Sequence, residues 1–410
     1  MNNTFDSILK RLKILQPLMN LTDDQVKLLT THKKISQAEL EVNGEKYPAW
    51  RIMHNDALGP GKGGIRFHPE VSEDEIKCLS FWMSLKNALV GLPFGGAKGG
   101  VRFNPKEKNK DELEQISRAY IDAFYKVLGE TKDIPAPDVY TNEQVIAWML
   151  DEYEKKVGYH EPGMITGKPV EIGGSPMRKE ATAQGGFIII EQAIKAFGGD
   201  KNNFSIAIQG FGNVGLNLAK MLYGAGFKIV SVSDSQAGIF NPKGLDINQV
   251  IAVKEDKGRV AEYPEAEKIS NQELLGLEVD LLVLAALENQ ITEENVSRVK
   301  AKKIIEVANG PITSEADAVL KEKDILVIPD ILANAGGVVA SFFEWTQNRT
   351  GGICPPEHLK KKLEFMMKDS WNRVYTLFQE NDENIDLRTV AWTVAIERIL
   401  AAEKWRGHLK

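Results

Sequence analysis

The sequence has 410 residues, of which 43% are hydrophobic and 26% charged, a composition typical of a globular protein large enough for two domains. The net charge of -6 argues against a protein that binds nucleic acid or an anionic membrane, because nothing would attract it to phosphate. Its two cysteines, Cys78 and Cys354, form no C-x-x-C pair, so neither disulfides nor a metal site is expected. Without an apolar run of roughly 20 residues or a signal-peptide core, the sequence predicts a cytoplasmic protein with no membrane segment.

Helices and a hairpin are predicted for the N-terminal part of the chain. Thr22 and Gln25 have the T-x-x-Q spacing of a capping box, in which side chains satisfy the free N–H groups at a helix start. An Asn-Gly pair at residues 43–44 lies between the extended runs 38–42 and 46–53. Because Asn-Gly readily adopts the positive φ angles of a type I′ turn, this segment predicts a β-hairpin.

The pattern changes from about residue 181, where apolar runs typical of strands alternate with helical stretches. The runs cover residues 204–209, 227–233, 279–284, 303–307 and 325–328. Such alternation predicts a parallel sheet with helices on both of its faces. Beyond about residue 355, amphipathic periodicity predicts helices over 356–380 and 386–405. The chain is therefore expected to be an α/β protein.

A glycine-rich turn follows the first of these strands directly and opens a helix, with the sequence GFGNVG over residues 210–215. Gly210 would make the tight turn, Gly212 would let a pyrophosphate approach, and Gly215 would allow close packing of helix and strand. The helix N-terminus would stabilise the phosphates. Asp234 follows the next strand, where its carboxylate could accept hydrogen bonds from the adenosine ribose and would repel a 2′-phosphate. The motif predicts a doubly wound Rossmann-type domain that favours NAD, with NADP possible.

Two lysines of the N-terminal part, Lys62 and Lys98, are flanked by glycine pairs in GPGKGGIRFHP (59–69) and LPFGGAKGG (92–100). Glycine side chains cannot crowd a site, so a ligand or another segment of backbone could approach these lysines closely. We expect both motifs to form functional loops, the alternative being mobile surface loops.

A third lysine, Lys86, lies on a predicted helix that begins after Ser72, where Glu75 completes the spacing of a capping box, and runs to about Leu89. Lys86 continues an apolar stripe formed by Ile76, Leu79 and Met83. Its ammonium should therefore point into the protein or a cleft. If Lys62, Lys86 and Lys98 lie together, like charge and burial would lower the pKa of one of them towards neutrality. That lysine could act as a general base while the others bind carboxylates.

Asp138 follows two prolines on a stiff extended segment with the sequence IPAPDVYTN. A helix-capping role is the simplest explanation for such an aspartate. However, Thr141 and Gln144 have capping-box spacing themselves, which would leave the Asp138 carboxylate available for another function.

Taken together, the motifs resemble those of the glutamate/leucine/phenylalanine/valine dehydrogenases, and within that family the hexameric glutamate dehydrogenases of bacterial and archaeal length. The resemblance covers nearly the whole chain. Six motifs occur in the family's order: GPGKGGIRFHP, LPFGGAKGG, IPAPDVYTN, RKEATAQGG, GFGNVG and NAGGVVASFFEW. It implies a substrate-binding, catalytic and oligomerisation domain (1–180), an NAD(P)-binding Rossmann domain (181–345) and C-terminal helices that return to the first domain (346–410).

The resemblance also implies roles for individual residues. Lys98 would be the catalytic lysine, and Asp138 the carboxylate that moves protons. Lys86, with the backbone near Met83, would hold the substrate α-carboxylate. The resemblance further assigns the side-chain carboxylate to Lys62 and Ser341, with Arg178 at the edge. Cofactor contacts are implied for Thr182, Gly210, Gly212, Asn213, Val214, Gly215, Asp234, Asn309 and Asn334, the last two at the nicotinamide end.

The activity that this resemblance implies is the reversible oxidative deamination of L-glutamate to 2-oxoglutarate and ammonium, in a homohexamer whose two domains close over the substrate. A dehydrogenase for leucine, valine or phenylalanine is the first alternative. Those substrates lack a distal carboxylate and would leave Lys62 buried and unpaired, which favours glutamate. The second alternative is a non-catalytic relative that binds nucleotide as a regulatory or assembly subunit. Because Lys98, Asp138 and the glycines are all present, the enzyme is favoured.

Overall fold

The computed structural model describes residues 5–198, 204–381 and 385–409. The chain forms two compact units, each built from separate stretches of sequence. Unit 1 comprises Met1–Arg178, Val338–Lys360 and Trp392–Lys410. Unit 2 comprises Lys179–Gly337 and Lys361–Ala391.

The strands of unit 1 form one five-stranded sheet in the order β1-β2-β4-β3-β5. They are β1 (Lys34–Val42), β2 (Glu45–Asn55), β3 (Gly61–Phe67), β4 (Gly96–Val101) and β5 (Asp133–Pro137). β1 and β2 form the predicted hairpin, and φ angles of 55° at Asn43 and 81° at Gly44 confirm the expected turn. β3 runs parallel to β4 and β5, so the ends of these three strands can place side chains in one region.

The seven strands of unit 2 form a second sheet, in the order β12-β11-β10-β6-β7-β8-β9. They are β6 (Ser205–Gln209), β7 (Lys228–Ser233), β8 (Gly238–Phe240), β9 (Glu267–Ile269), β10 (Leu281–Leu284), β11 (Lys303–Glu306) and β12 (Leu326–Ile328). All five predicted strands are confirmed and pair in parallel. β8 and β9 add an antiparallel edge that the sequence did not predict, because three residues are too few to show a periodicity. The order reverses between β6 and β10, which confirms the doubly wound Rossmann-type architecture.

The helices connect and cover the two sheets. They are α1 (Phe5–Leu18), α2 (Asp23–Thr30), α3 (Glu73–Leu89), α4 (Lys110–Phe124), α5 (Glu143–Val157), α6 (Arg178–Phe197), α7 (Asn213–Gly224), α8 (Ile247–Lys257), α9 (Asn271–Leu275), α10 (Ser314–Glu322), α11 (Asp330–Ala333), α12 (Gly336–Thr350), α13 (Pro356–Glu380) and α14 (Leu387–Trp405). Within the described ranges, no helix combines the length and hydropathy that a bilayer crossing requires.

The sheet of unit 1 is covered on both faces, as the alternation of its side chains dictates. Ala49 and Tyr47 of β2 join a buried core with α4 and α5, in which Tyr120 and Met149 take part. The next residue, Trp50, points the other way and packs in a cluster that includes Ile76 of α3. α3 therefore lies directly against the strands that carry the lysine motifs.

Three predicted helix starts can be compared with the structure. The capping box of Thr22 and Gln25 is complete. At α3 the Ser72 hydroxyl accepts a hydrogen bond from the Glu75 N–H at 3.2 Å, but the reciprocal half is missing because the Glu75 carboxylate pairs with Arg66.

The predicted cap of α5 at Thr141 is wrong, because Asn142 caps that helix. The Asn142 side chain accepts hydrogen bonds from the N–H groups of Gln144 and Val145, at 3.0 and 3.1 Å. The hydroxyl of Thr141 instead accepts from the Asp138 N–H at 2.7 Å. Thr141 therefore holds the backbone of Asp138 rather than the start of a helix.

The C-terminal helices α13 and α14 are confirmed within a residue of their predicted limits. Residues 361–391 belong to unit 2, whereas the sequence grouped everything after residue 345 with the first domain. The physical reason is aromatic packing of α13 on α6, in which the Phe197 ring lies 6.2 Å from Trp371 and 5.5 Å from Tyr375.

Candidate functional site

A lysine and an aspartate form an ion pair in the sheet of unit 1. Lys98 lies in the middle of β4, and Asp138 follows the last residue of β5. Lys98 Nζ is 3.0 Å from Asp138 Oδ2, and the two side chains are 7% and 17% exposed. The structure thus brings together the two residues for which a catalytic role was expected.

Arg66 is a third member of this group, and the sequence analysis missed it. Its Nε donates a hydrogen bond of 2.7 Å to Asp138 Oδ2, the same oxygen that faces Lys98. Its other end pairs with Glu75 at the start of α3. Lys62, Gly64 and Arg66 alternate along β3 and share one face of the sheet. That period of two within the motif could have revealed Arg66.

Glycine is required at position 64 because Asp138 lies against it. A Cβ atom on Gly64 would come within 2.8 Å of the Asp138 Cβ. Nearby, a Cβ atom on Gly63 would lie 1.6 Å from the Ala97 carbonyl oxygen, and one on Gly96 would lie 2.2 Å from the Ser84 nitrogen. The glycine pairs therefore belong to packed strands, and the expectation of loops around Lys62 and Lys98 is corrected.

The electrostatics of the group match its geometry. Burial lowers the pKa of Lys98 to about 8, with Arg66 and Lys86 acting in the same direction and Asp138 against it. From the sequence, Lys62 and Lys86 were expected to lower the pKa of Lys98. In the structure the neighbouring cations with this effect are Arg66 and Lys86. Burial would raise the pKa of Asp138, but Lys98 and Arg66 outweigh burial and hold that pKa well below its usual range. Asp138 therefore stays ionised beside a lysine that can lose its proton near neutral pH.

Lys62, Arg178 and Ser341 lie at a second position in unit 1. Lys62 is 1% exposed, and its Nζ is 3.5 Å from the Pro135 carbonyl oxygen. Arg178 Nη1 lies 3.5 Å from the hydroxyl of the buried Ser341 on α12. In the described part of the chain, no carboxylate lies within ion-pair distance of Lys62. Burial, followed by Arg178 and Arg51, places the pKa of Lys62 well below its usual value, so an added carboxylate would be favourable here.

The remaining expected substrate residues lie on α3. Lys86 is half-buried near the end of the helix, and its charge contributes to the low pKa of Lys98. Met83, one turn earlier, places its Cγ 3.2 Å from the position of a Cβ atom on Gly63. All seven residues expected to bind substrate or catalyse its conversion thus belong to unit 1.

A buried ion pair elsewhere in unit 1 was also missed by the sequence analysis. Lys168 Nζ lies 2.7 Å from Glu344 Oε1, and both side chains are at most 1% exposed. The Gly167 N–H also donates to Glu344, at 2.9 Å. Glu344 lies one turn after Ser341 on α12, so this carboxylate fixes the 167–168 segment beside the helix that carries Ser341.

The glycine-rich turn of unit 2 has the geometry of a dinucleotide-binding turn. Gly210 has a φ of 94°, and its Cβ would lie 2.7 Å from the backbone of Ala285 after β10. A Cβ atom on Gly215 would lie 1.8 Å from the Gly210 carbonyl oxygen. At Gly212, the N-cap of α7, nothing lies within 4 Å of the Cβ position. Gly210 and Gly215 thus pack against neighbouring backbone, whereas the turn is open at Gly212. Phosphates bind at such an open helix N-terminus.

Asp234 lies at the end of β7, as expected, but its carboxylate has protein partners. Oδ1 accepts from the N–H groups of Gln236 and Ala237 at 3.0 and 3.3 Å, and Oδ2 accepts from Val260 N–H at 2.9 Å. Lys254 Nζ is 3.7 Å from Oδ2. Burial opposes ionisation, but these amides and Lys254 lower the pKa of Asp234. The carboxylate therefore organises the loop after β7, in addition to any contact with a ribose.

The expected nicotinamide residues lie together in unit 2. Asn334, which follows α11, donates from Nδ2 to Asn309 Oδ1 at 2.8 Å and to the Ala308 carbonyl at 3.3 Å. Its own Oδ1 is buried and has no hydrogen-bond partner among the described residues. An acceptor in that position suits a ligand with an N–H donor, such as a carboxamide.

Other expected cofactor residues surround the turn. Asn213 Nδ2 donates to the Lys179 carbonyl at 2.9 Å, linking the start of α7 to the start of α6. Thr182 of α6 has its hydroxyl 2.7 Å from the Cβ position of Gly337. Val214 is half-buried in the first turn of α7. The unit 2 residues therefore lie at two positions, around the turn and around Asn334.

These features define a class of protein. A doubly wound sheet with a tight glycine turn, accompanied by a buried lysine–aspartate pair, is typical of a dinucleotide-dependent oxidoreductase. Residues 173–407 match the model of the Glutamate/Leucine/Phenylalanine/Valine dehydrogenase family, and residues 32–155 match that of the Glu/Leu/Phe/Val dehydrogenase dimerisation domain. The chain belongs to this family.

Individual relatives agree with that assignment over nearly the whole chain. The chain is 44% identical to the cryptic catabolic NAD-specific glutamate dehydrogenase of Bacillus subtilis, over 97% of this chain and 93% of that protein. It is 42% identical to the NADP-specific glutamate dehydrogenase of Saccharolobus shibatae, over 100% of this chain and 98% of that protein. The crystal structure of a hetero-hexameric glutamate dehydrogenase from Thermus thermophilus matches with a TM-score of 0.91 at 33% identity, over 99% of this chain and 97% of that one.

Proposed function

We propose that this chain is a glutamate dehydrogenase, which interconverts L-glutamate with 2-oxoglutarate and ammonium and uses NAD or NADP. The relatives described above carry this activity in their names, with both cofactor specificities represented. The observation that carries the choice of substrate is Lys62, a fully buried lysine without a carboxylate partner in the described chain.

The distal carboxylate of glutamate supplies what this position lacks. A carboxylate bound beside Lys62 would favour the ammonium form of Lys62 and accept a hydrogen bond from Ser341, with Arg178 adding positive charge. Lys86 would bind the α-carboxylate with the backbone near Met83. Substrate carboxylates at both ends would then fix the α-carbon between the two sets of cations.

Lys98 and Asp138 would carry out the proton transfers. With a pKa near 8, Lys98 can be neutral at its Nζ and take a proton from the water that attacks the α-carbon. Asp138 Oδ2, ionised and fixed by Arg66, can receive and return protons at the substrate nitrogen. Both groups are largely buried, so bulk water does not compete for these protons.

The residues of unit 2 fit a nicotinamide dinucleotide. The open N-terminus of α7 at Gly212, Asn213 and Val214 would hold the pyrophosphate, between Gly210 and Gly215. Asp234 would lie near the adenosine ribose. The nicotinamide end would lie near Thr182, Asn309 and Asn334. When bound, the dinucleotide accepts or returns the hydride of the α-carbon.

A dehydrogenase of leucine, valine or phenylalanine is the alternative within the family. Such a substrate would place an apolar side chain against the buried Lys62, leaving this lysine without a carboxylate partner. A non-catalytic relative is disfavoured because the Lys98–Asp138 pair and its supporting arginine are intact.

The direct test is the rate of NADH and NADPH oxidation with 2-oxoglutarate plus ammonium, with branched and aromatic 2-oxo acids measured in parallel. We expect 2-oxoglutarate to be preferred. In Lys62→Leu, kcat/KM for glutamate should fall about 100-fold or more, as for loss of one partner of a buried charge pair. Lys77→Leu is the control and should change little, because this partly exposed lysine of α3 pairs with Glu73. A preference for a branched 2-oxo acid in the wild type would exclude the proposal.

The assembly and location belong to the same proposal. A hexamer is supported by the name of the hetero-hexameric relative from Thermus thermophilus, and we propose that it consists of six copies of this chain. A cytoplasmic location is supported by the two free thiols, Cys78 and Cys354, which suit a reducing compartment. We also propose that unit 1 is the substrate and oligomerisation domain and unit 2 the dinucleotide domain.

A further inference from the structure

A buried charge cluster lies at the carboxyl end of β11, and no step of the proposed reaction uses it. Arg388, in the first turn of α14, donates to both oxygens of Glu306 at 2.8 Å. The same guanidinium donates to both oxygens of Asp317 on α10, at 3.0 and 3.2 Å. A third carboxylate, Asp330, lies 4.0 Å from it. One arginine thus joins acidic residues from three elements, all within unit 2.

The cluster depends on Arg388 because carboxylates outnumber the cation. Glu306 is fully buried, and burial raises its pKa to about 7; Asp330 and Asp317 act in the same direction, and Arg388 opposes them. Without the guanidinium, neighbouring buried carboxylates would face one another with no counter-charge. The geometry around Glu306 is therefore set by Arg388.

A continuous chain of hydrogen bonds leads from this cluster to the paired asparagines. Glu306 Oε2 accepts from the Asp330 N–H at 2.9 Å, which fixes the start of α11. Asp330 Oδ2 accepts from the Gly310 N–H at 3.0 Å, and its carbonyl accepts from the Asn334 N–H at 3.0 Å. Asp330 thereby fixes the backbone next to Asn309 as well as that of Asn334.

The position of the asparagines in the sheet indicates what they face. The adenosine half of a doubly wound sheet contains the glycine turn and the following strand, here β6 and β7. β10, β11 and β12 form the other half, which takes the nicotinamide mononucleotide. Asn334 Oδ1 is buried there without a partner among the described residues, so it is available for a carboxamide N–H.

We propose that Arg388 is a positioning residue for the nicotinamide half of the dinucleotide, acting through Glu306 and Asp330 on the amides of Asn309 and Asn334. Arg388 does not touch the ligand in this account. It keeps the two loops that carry the asparagines at a fixed spacing, so that the free oxygen of Asn334 is already oriented when the dinucleotide binds. The inference rests on the proposed dinucleotide-dependent function and adds a residue to it.

The test compares two ligands that differ in the nicotinamide group. Binding of NADH and of ADP-ribose is measured by titration calorimetry for the wild type, Arg388→Lys and Glu306→Gln. Lysine keeps the charge but cannot bind two carboxylates with a planar fork. Arg388→Lys should weaken NADH about tenfold, the effect of one lost hydrogen bond, and ADP-ribose less than about twofold. Glu306→Gln, which keeps the side-chain shape, should show the same selectivity and provides the answer if Arg388→Lys fails to fold.

The control is Asp280→Asn, at the opposite end of the same sheet. Asp280 accepts hydrogen bonds from the N–H and hydroxyl of Ser205 at 2.9 and 2.8 Å, so this variant should also destabilise unit 2. It should leave the ratio of NADH to ADP-ribose affinity unchanged. Equal weakening of both ligands by Arg388→Lys and Glu306→Gln, or no weakening of either, would overturn the positioning role. A different result would separate the two proposals. If both variants weaken NADH more than ADP-ribose but the wild type shows no glutamate turnover, the proposed substrate is wrong and the positioning role of Arg388 is retained.

Discussion

At the scale of single residues, Arg66 helps to set the charge state of the Lys98–Asp138 pair, which we propose to be catalytic. It donates to the same Asp138 oxygen that faces Lys98, and it lowers the pKa values of both partners. An arginine in this position favours the anionic aspartate and the neutral lysine together. The proposed mechanism uses that combination, with Lys98 as the base and Asp138 as the proton carrier.

Replacement of Arg66 should therefore move the pH dependence of the reaction. In Arg66→Met the pKa of Lys98 should rise, since a neighbouring cation is lost, and the ascending limb of kcat/KM should shift by roughly one unit to higher pH. Arg66→Lys retains the charge, so its limb should stay near that of the wild type even if the rate falls. Initial rates across the range from neutral to alkaline pH provide the measurement. An unshifted limb in Arg66→Met would exclude the electrostatic role.

A second prediction at this scale concerns His54, which is buried on β2. Its Nδ1 lies 2.7 Å from the Ser84 hydroxyl and its Nε2 lies 2.7 Å from the Leu29 carbonyl. Burial, and then His32, lowers the pKa of His54 from 6.5 to about 3. Between about pH 3 and pH 6.5, His54 is therefore protonated in the unfolded chain but neutral in the folded chain. As pH falls below 6.5, this residue should reduce the free energy of unfolding by up to roughly 1.4 kcal/mol per unit.

The comparison of His54→Gln with the wild type isolates that effect. Glutamine can keep one donor and one acceptor but has no charge to gain. Urea unfolding should show the variant less stable at neutral pH and the difference shrinking as the pH approaches about 5. A constant difference across this range would show that His54 does not titrate as described.

At the scale of elements, the close contact of α7 with β6 depends on one glycine. A Cβ atom at position 215 would lie 1.8 Å from the Gly210 carbonyl oxygen, whereas one at Gly224, on the same helix, would meet nothing within 4 Å. Gly215→Ala should lower the free energy of unfolding by about 2 kcal/mol and weaken dinucleotide binding. Gly224→Ala should do neither. The pair can be compared by thermal unfolding and NADH titration, and similar behaviour of both variants would contradict the packing argument.

The elements also show what the sequence could and could not predict. The five parallel strands, the hairpin and α13 were predicted because their periodicity or turn residues are local properties. The short strands β8 and β9 and the true cap of α5 were missed, since pairing and capping partners decide them. Within the candidate site, the glycine-flanked motifs were sufficient to predict Lys62 and Lys98 as functional residues. The period of two in β3 could have indicated Arg66, but its pairing with Asp138 required the fold, as did the Glu344–Lys168 pair, because these partners lie far apart in sequence.

At the scale of the whole molecule, the proposed assembly can be measured directly. One chain has a mass of 45.6 kDa, so a homohexamer should have roughly six times that mass in solution. Light scattering coupled to size-exclusion chromatography, over a range of protein concentrations, provides the measurement. A stable monomer or dimer with full glutamate turnover would reject the hexamer and retain the enzyme.

The division of the chain between the two units has a consequence for biosynthesis. Unit 1 begins at the N-terminus but includes Trp392, which is 1% exposed and packs 5.5 and 5.1 Å from the rings of Phe81 and Trp82. Unit 2 likewise needs residues 361–391. Neither unit can therefore complete its core until the chain has been synthesised to about residue 392 and has left the ribosome. Until then the apolar surfaces of both incomplete cores are exposed to aggregation, and truncation before residue 392 leaves unit 1 without part of its core.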